Sequence, residues 1–179
     1  MARRWVVLLL CASALVAVHA DGSQPPVLAQ EQLSQPDTVV DWLKSNDMQA
    51  DKKTAKMAYD HGQKSKQRGN WSAAAKAFGD SAIHYPSPAA LREYADNGLR
   101  VYGAVRHRDK TYRENWRRDL GEAEAIYRTA LAADTVLRLL SEHERRQIQG
   151  NADCLADHIK SSKSSGACPP LQLYGMPNR

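Results

Sequence analysis

Small and aromatic residues recur at helical spacing in the middle of the chain. Within residues 69–86, Ala74, Phe78 and Ser81 fall three or four positions apart, which places them on one face of a helix. A Gly-Asn turn precedes this face and Pro86 follows it, and both are common punctuation at helix ends. The pattern predicts a helix that packs its inner face against a neighbour.

The preceding segment carries a matching stripe of small residues, namely Ala55, Ala58, Gly62 and Ser65. Small side chains let two helices approach closely, so the stripe predicts the other helix of a hairpin over residues 50–85. A glycine inside a helix costs about 1 kcal/mol relative to alanine. We therefore expect Gly62 to serve close packing.

A second helical pair follows, and Ser87-Pro88 predicts its N-cap and first turn. Its first helix continues through Leu91, Tyr94, Ala95, Gly98, Leu99 and Tyr102, and its return helix carries Ala123, Tyr127 and Ala130. Relative to the first pair, the second contains an insertion of 13 residues between these faces. Divided between two helices, the insertion lengthens each by about 10 Å. We expect residues 100–118 to form the tip of a projecting hairpin, with Asp109 capping the returning helix.

Both ends of this helical region carry start signals. The stretch Ser141-Glu142-His143-Glu144 is a capping-box pattern, and it predicts a lone capping helix through Ile159, with Gly150 in the position of Gly62. Near the other end, residues 36–38 predict a helix start. The apolar residues after it predict a cap over the first hairpin; they are Val39, Val40, Trp42 and Leu43.

The first twenty residues are predicted to be a secretory signal peptide. Arg3 and Arg4 precede an apolar run, and Val18-His19-Ala20 is a cleavage pattern before Asp21. A retained anchor and twin-arginine export are the alternatives. No second apolar run is long enough to span a bilayer, so we expect no transmembrane segment after cleavage. Residues 21–36 are rich in Gln, Pro and Ser, and predict a disordered leader.

The formal net charge of +5 falls to +3 without Arg3 and Arg4, but the remaining charge is uneven. Residues 100–118 hold a cluster that we call the basic tip: Arg106, Arg108, Lys110, Arg113, Arg117 and Arg118. It suits an acidic protein face, an anionic membrane or wall polymer, or nucleic acid, and export disfavours nucleic acid. A solvated charged hairpin is the plain alternative.

Two cysteines, Cys154 and Cys168, remain after signal cleavage. An even pair in an exported chain predicts a disulfide, and closing such a loop contributes about 3 kcal/mol in the chain-entropy account. The bridge would tether a C-terminal tail, residues 161–179, that has little to bury. The alternative is one thiol buried in a helix and one exposed.

Residues 55–88 resemble one complete tetratricopeptide repeat. Gly62 fills the small mid-helix position, Gly69 the turn, Pro86 the terminator, and Ala74, Phe78 and Ser81 the positions of the second helix. Ala58 and Ser65 depart from the larger residues that the family prefers. The resemblance implies an all-α fold, a short tetratricopeptide-like solenoid of α-hairpins over residues 37–160, with a second repeat at 89–135 and a capping helix.

The family usually binds ligands in a concave groove lined by the first helices of successive repeats. The resemblance implies that the predicted groove consists of Lys56, Tyr59, Gln63, Lys66, Gln67, Arg92, Leu99 and Tyr102. Such a cationic surface favours an extended acidic or polar peptide, with charge setting orientation and encounter rate. Alternatively, the tyrosines only pack and the lysines are only solvated.

Catalytic motifs are not evident in the sequence. The histidines have no metal-ligand spacing, and no phosphate loop or nucleophile elbow occurs. We expect no catalytic residue, metal or cofactor. The sequence predicts an exported protein-interaction scaffold, periplasmic or secreted, that binds a protein or peptide partner in a bacterial cell envelope. The alternative is an electrostatic binder of anionic membrane or envelope polymer through residues 100–118.

Overall fold

Helices make up the secondary structure of the part of the chain that the computed structural model describes, residues 24–106, 115–161 and 167–176. A 3-10 helix, Gln30–Ser34, precedes the α-helices. These are α1 (Pro36–Asn46), α2 (Lys52–Gln67), α3 (Trp71–His84), α4 (Pro88–Arg106), α5 (Trp116–Leu137), α6 (Glu142–Ser161) and α7 (Pro169–Leu173). No strand occurs in these ranges, so the prediction of an all-α fold is confirmed. The predicted signal peptide lies outside them.

Side-chain caps start three of these helices where the sequence predicts them. Gly69 adopts a φ of 71° at the turn between α2 and α3, and the Asn70 side chain accepts a hydrogen bond from the backbone N–H three residues on, at 3.1 Å. Ser87 does the same before α4, at 3.2 Å. Before α6, the Glu144 side chain accepts the backbone N–H of Ser141 at 2.9 Å, and the Ser141 side chain accepts that of Glu144 at 3.3 Å, which is a complete capping box.

The α2–α3 hairpin closes around Gly62 and Phe78. A Cβ atom on Gly62 would lie only 2.7 Å from the Phe78 ring, and this ring is fully buried. The Tyr59 ring packs edge-on against it, with 5.2 Å between the ring centroids. The expected packing reason for this helical glycine is therefore confirmed.

The two other glycines at this position have different surroundings. Among the described residues, nothing outside the local backbone lies within 4 Å of a Cβ built on Gly98 or on Gly150. Tyr127, which stands where the first hairpin has Phe78, is buried, and its hydroxyl donates a hydrogen bond to Asp96. The second hairpin is thus packed differently from the first, although its sequence pattern is similar.

Helices α2 to α6 each pack on the helix next in the chain, but α1 does not follow this order. Its main contacts are with α5, and it buries Val39 and Leu43 there. The predicted cap over the first hairpin is therefore corrected. The 3-10 helix also packs on α5. Leu33 within it and Leu28 just before it are buried, so the leader predicted to be disordered is ordered over this part.

The C-terminal tail is joined to α6 and packed on α4. The sulfur atoms of Cys154 and Cys168 lie 2.11 Å apart and their Cα atoms 5.7 Å apart, which confirms the predicted pairing. Cys168, Leu171 and Tyr174 are at most 1% exposed. The expectation that the tail has little to bury is thus wrong: it contributes to the core.

Two contacts fix the tail against the α4–α5 pair. A Cβ atom on Gly103 would lie 2.6 Å from the carbonyl oxygen of Tyr174, so only glycine allows this approach. The Tyr174 hydroxyl donates a hydrogen bond to buried Asp119 at 2.8 Å. None of the helices in the described ranges has both the length and the apolar character of a membrane span.

Candidate binding site

The predicted groove residues of α2 separate into two groups. Lys56 and Tyr59 border a hollow of about 460 Å³ between α2 and the start of α4, together with Ser81 and Tyr85. Lys56 is also paired with Asp60 on its own helix, at 2.7 Å. Gln63, Lys66 and Gln67 lie further along α2.

Lys66 forms an ion pair with Glu93. Its ammonium nitrogen lies 2.8 and 2.7 Å from the two carboxylate oxygens of Glu93, and the Glu93 side chain is 5% exposed. The Asn97 amide donates to the same carboxylate at 3.2 Å, and Arg92 approaches it at 3.8 Å. This buried pair links α2 to α4, so Lys66 and Arg92 have a structural partner already.

The basic tip is described only in part, since Arg108, Lys110 and Arg113 lie outside the described ranges, as does Asp109. Helix α4 ends at Arg106, whose guanidinium lies 5.6 Å from the centre of the Tyr174 ring. Helix α5 begins at Trp116, with Asn115 as its N-cap. Binding of an anionic polymer through this segment stays a prediction.

Leu99 and Tyr102, the remaining groove residues, belong to a separate cleft between α3, α4 and α5. We call it the α4 cleft. It is lined by Gln30, Ser72, Ala75, Lys76, Gly79, Asp80, Tyr94, Ala95, Gly98, Leu99, Val101, Tyr102, Glu122, Ala123 and Ile126. Its volume of 270 Å³ is close to about 300 Å³, the lower end of ordinary ligand pockets. The predicted eight-residue groove is therefore divided among several surfaces.

Spacing along α4 explains why the cleft is open. Tyr94, Gly98 and Tyr102 are four residues apart and share one face of the helix. Because Gly98 has no side chain, it leaves a gap between the two rings. On the α3 side, Gly79 lies against the Tyr94 ring: a Cβ atom built on Gly79 would be 3.2 Å from the nearest ring atom. This close contact holds the ring at the cleft wall.

Polar groups are placed around this gap by three pairs of side chains. The Tyr102 hydroxyl donates to Glu122 at 3.1 Å, which joins α4 to α5. The Gln30 amide donates to the Tyr94 hydroxyl at 2.8 Å, so the 3-10 helix closes one end of the cleft. The third pair, Lys76 and Asp80 of α3, lie 2.8 Å apart at the rim.

Both cleft tyrosines stay protonated at physiological pH. Burial raises the pKa of the Tyr94 hydroxyl, and the charge of Glu122 adds to this rise, while the hydrogen bond from Gln30 opposes it. Burial and the Glu122 carboxylate likewise raise the pKa of Tyr102. The two hydroxyls are therefore neutral groups that hold hydrogen bonds, and Glu122 acts on both of them.

A second hollow adjoins the α4 cleft. It has a volume of about 460 Å³ and shares the lining residues Gln30, Tyr94, Glu122 and Ile126. Glu31 and Ser34 of the 3-10 helix complete its lining. The two hollows therefore share a wall of four residues.

Sequence reasoning did not assign Gln30, Tyr94 or Glu122 to a site. The helical spacing of Tyr94, Gly98 and Tyr102 was a usable signal on α4. Glu122 gave no comparable signal, because it lies beyond the insertion, and Gln30 lies in the segment predicted to be disordered.

Three comparisons with known proteins found no match. No protein-family model matches the chain, no curated protein matches it, and no solved structure matches it.

Proposed function

We propose that this protein is an exported, tetratricopeptide-like interaction scaffold that binds a protein or peptide partner through the α4 cleft. The observation that carries the proposal is the gap at Gly98, which opens a cavity with apolar walls and a few fixed polar groups between three helices. Such cavities are the usual form of a ligand site. The helical hairpin around Gly62 and Phe78, with its turn and terminator residues, supports the repeat assignment.

Export is supported by two independent features. The chain begins with a signal-peptide pattern, and the Cys154–Cys168 pair has disulfide distances. Disulfides persist in oxidising compartments such as the bacterial periplasm. A periplasmic or secreted location in a bacterial envelope is part of the proposal.

The test fills the cleft and asks whether binding is lost. Protein secreted from cells that express the full chain is immobilised with its disulfide intact, and peptides that bind it are selected from a random phage-displayed library. Their affinities are then measured for wild type and for Gly98→Leu by fluorescence polarisation. We expect Gly98→Leu to bind at least about tenfold more weakly, because the new side chain occupies the gap between the tyrosines.

Gly150→Leu is the matched control. It places the same side chain on an exposed helical glycine of α6 with open space around it, so its affinity should equal that of wild type. Circular dichroism verifies that both variants are folded. If no peptide is enriched, or if enriched peptides bind wild type and Gly98→Leu equally, the α4 cleft is not the binding site.

A further inference from the structure

Negative charge in the α4 cleft is not balanced within the part of the chain that the structure describes. Among the described residues, three charged side chains line it, and two of them, Lys76 and Asp80, neutralise each other. The third, Glu122, accepts a hydrogen bond from the neutral hydroxyl of Tyr102. Among the described residues, no cationic side chain lies within ion-pair distance of Glu122. The described lining of the cleft therefore offers one carboxylate without a counter-ion.

Two aromatic rings line the cleft together with this carboxylate. Tyr94 and Tyr102 share the cleft face of α4, and the Tyr102 hydroxyl donates its hydrogen bond to Glu122 at 3.1 Å. The face of an aromatic ring attracts a cation. A carboxylate in a cleft with two tyrosine rings thus combines the two features that favour an ammonium or guanidinium group.

The apolar floor of the cleft suits the methylene groups of a cationic side chain. The floor at Gly98 and Leu99 is apolar, and the open space at Gly98 admits methylene groups. Lysine and arginine side chains lay their methylenes along apolar surfaces while the charge meets a polar partner. The adjoining hollow adds Glu31, which has the same sign of charge.

We propose that the α4 cleft binds a lysine or arginine side chain of the partner, with the cation at Glu122 and the methylenes over Gly98. This inference rests on the proposed function and names the chemistry of its ligand. It gives the cleft the opposite preference to the cationic groove predicted from the sequence, which favours an acidic peptide. The cation forms a charge-assisted hydrogen bond with Glu122, stronger than a neutral one.

The experiment uses the peptides enriched on wild-type protein and rejected by Gly98→Leu. In each peptide, the lysines and arginines are replaced one at a time, lysine by norleucine and arginine by citrulline. These replacements keep the methylene chain and remove the charge. We expect one replacement per peptide to weaken binding about tenfold or more. Glu122→Gln, which keeps an acceptor for Tyr102, should weaken the parent peptides to a similar degree and bind the neutral peptides no worse than wild type does.

Glu124→Gln is the matched control, because Glu124 lies on the same helix but pairs with Arg128 at 2.8 Å, outside the cleft. It should bind all peptides as wild type does. If cleft-dependent peptides need no basic residue, or if Glu122→Gln still prefers charged over neutral peptides by the wild-type ratio, the inference is wrong and the proposed function stands. If no cleft-dependent peptide is enriched, both fail.

Discussion

At the scale of single residues, three glycines with the same place in the sequence pattern have different roles. Gly62 admits the Phe78 ring, Gly98 opens a cleft, and Gly150 faces solvent on α6. The sequence spacing predicts that these positions lie on comparable helical faces. The spacing does not show where the facing helix lies. The position of that helix determines whether the glycine serves packing, binding or neither.

Gly62→Ala should destabilise the protein. Its Cβ would lie 2.7 Å from the buried Phe78 ring, and overpacking of this kind costs about 1–3 kcal/mol, more than the gain in helix propensity of about 1 kcal/mol. Gly150→Ala meets open space and should stabilise by about 0.5–1 kcal/mol. Urea unfolding followed by circular dichroism measures both. Equal effects of the two substitutions would contradict this account.

Asp96 should make stability depend on pH with an unusual sign. Burial raises the pKa of Asp96, the hydrogen bond from Tyr127 lowers it, and the charge of Glu93 raises it again, with a net rise. The folded state thus favours the protonated form, so stability declines as pH rises from the unfolded pKa, about 3.9, through the folded value. Asp96→Asn should therefore be more stable relative to wild type at pH 7 than at pH 3.5.

Asp153→Asn provides the opposite sign as a control. Hydrogen bonding from Gln149 lowers the pKa of Asp153, burial opposes this, and Arg128 contributes further lowering. Its stabilising effect is present above the unfolded pKa and declines as pH falls below it. The Asn variant should thus lose stability relative to wild type at pH 7. Urea unfolding at both pH values measures the free energy of unfolding of each variant relative to wild type. Parallel pH profiles for the two variants would refute the opposite pKa shifts of Asp96 and Asp153.

At the scale of elements, the helix starts were the most predictable features. The caps at Asn70, Ser87 and Ser141 depend on side chains within three residues of the helix, so the local sequence contains the whole interaction. The disulfide was predictable because Cys154 and Cys168 are the two cysteines outside the predicted signal peptide, and two cysteines allow one pairing. The burial of Tyr174 was not, since it depends on Gly103 and Asp119, which are 71 and 55 residues away in the chain.

Cys168→Ser should loosen the C-terminal element first. Loss of the bridge removes about 3 kcal/mol of stabilisation, and α7 packs mainly on α4. We expect faster hydrogen exchange in α7 and at the end of α4, while the α2–α3 hairpin stays protected. Cys154→Ser/Cys168→Ser, which leaves no unpaired thiol at either position, should give the same result. Loss of protection throughout the chain in either variant would show that the tail is required for the entire fold.

At the scale of the whole molecule, the placement of α1 was beyond the reach of sequence patterns. The apolar residues of α1 indicated that it covers something, but the first hairpin and α5 present similar small and apolar faces. The choice of α5 depends on how the helices stack in space. The same holds for the α4 cleft, whose walls come from α3 and α5 and whose end comes from the 3-10 helix.

Leu43→Ala tests the coupling of α1 to α5. Leu43 is fully buried, and truncation of such a residue costs about 2–5 kcal/mol. We expect hydrogen exchange to rise in α5 as well as in α1, with a single urea transition seen alike by tryptophan fluorescence and circular dichroism. Val40→Ala on the same helix, at a partly exposed position, should have a smaller effect. Unchanged protection of α5 in Leu43→Ala would contradict the coupling.

The contact between α1 and α5 also constrains the order in which the chain can fold. Repeat arrays usually grow by adding each hairpin to the previous one, but α1 has its main partner roughly 80 residues later in the chain. Contacts at such separation slow folding. During synthesis, Val39 and Leu43 stay uncovered until α5 emerges. A product that stops before residue 116 would expose them to proteases, so we expect quality control to remove truncated chains efficiently.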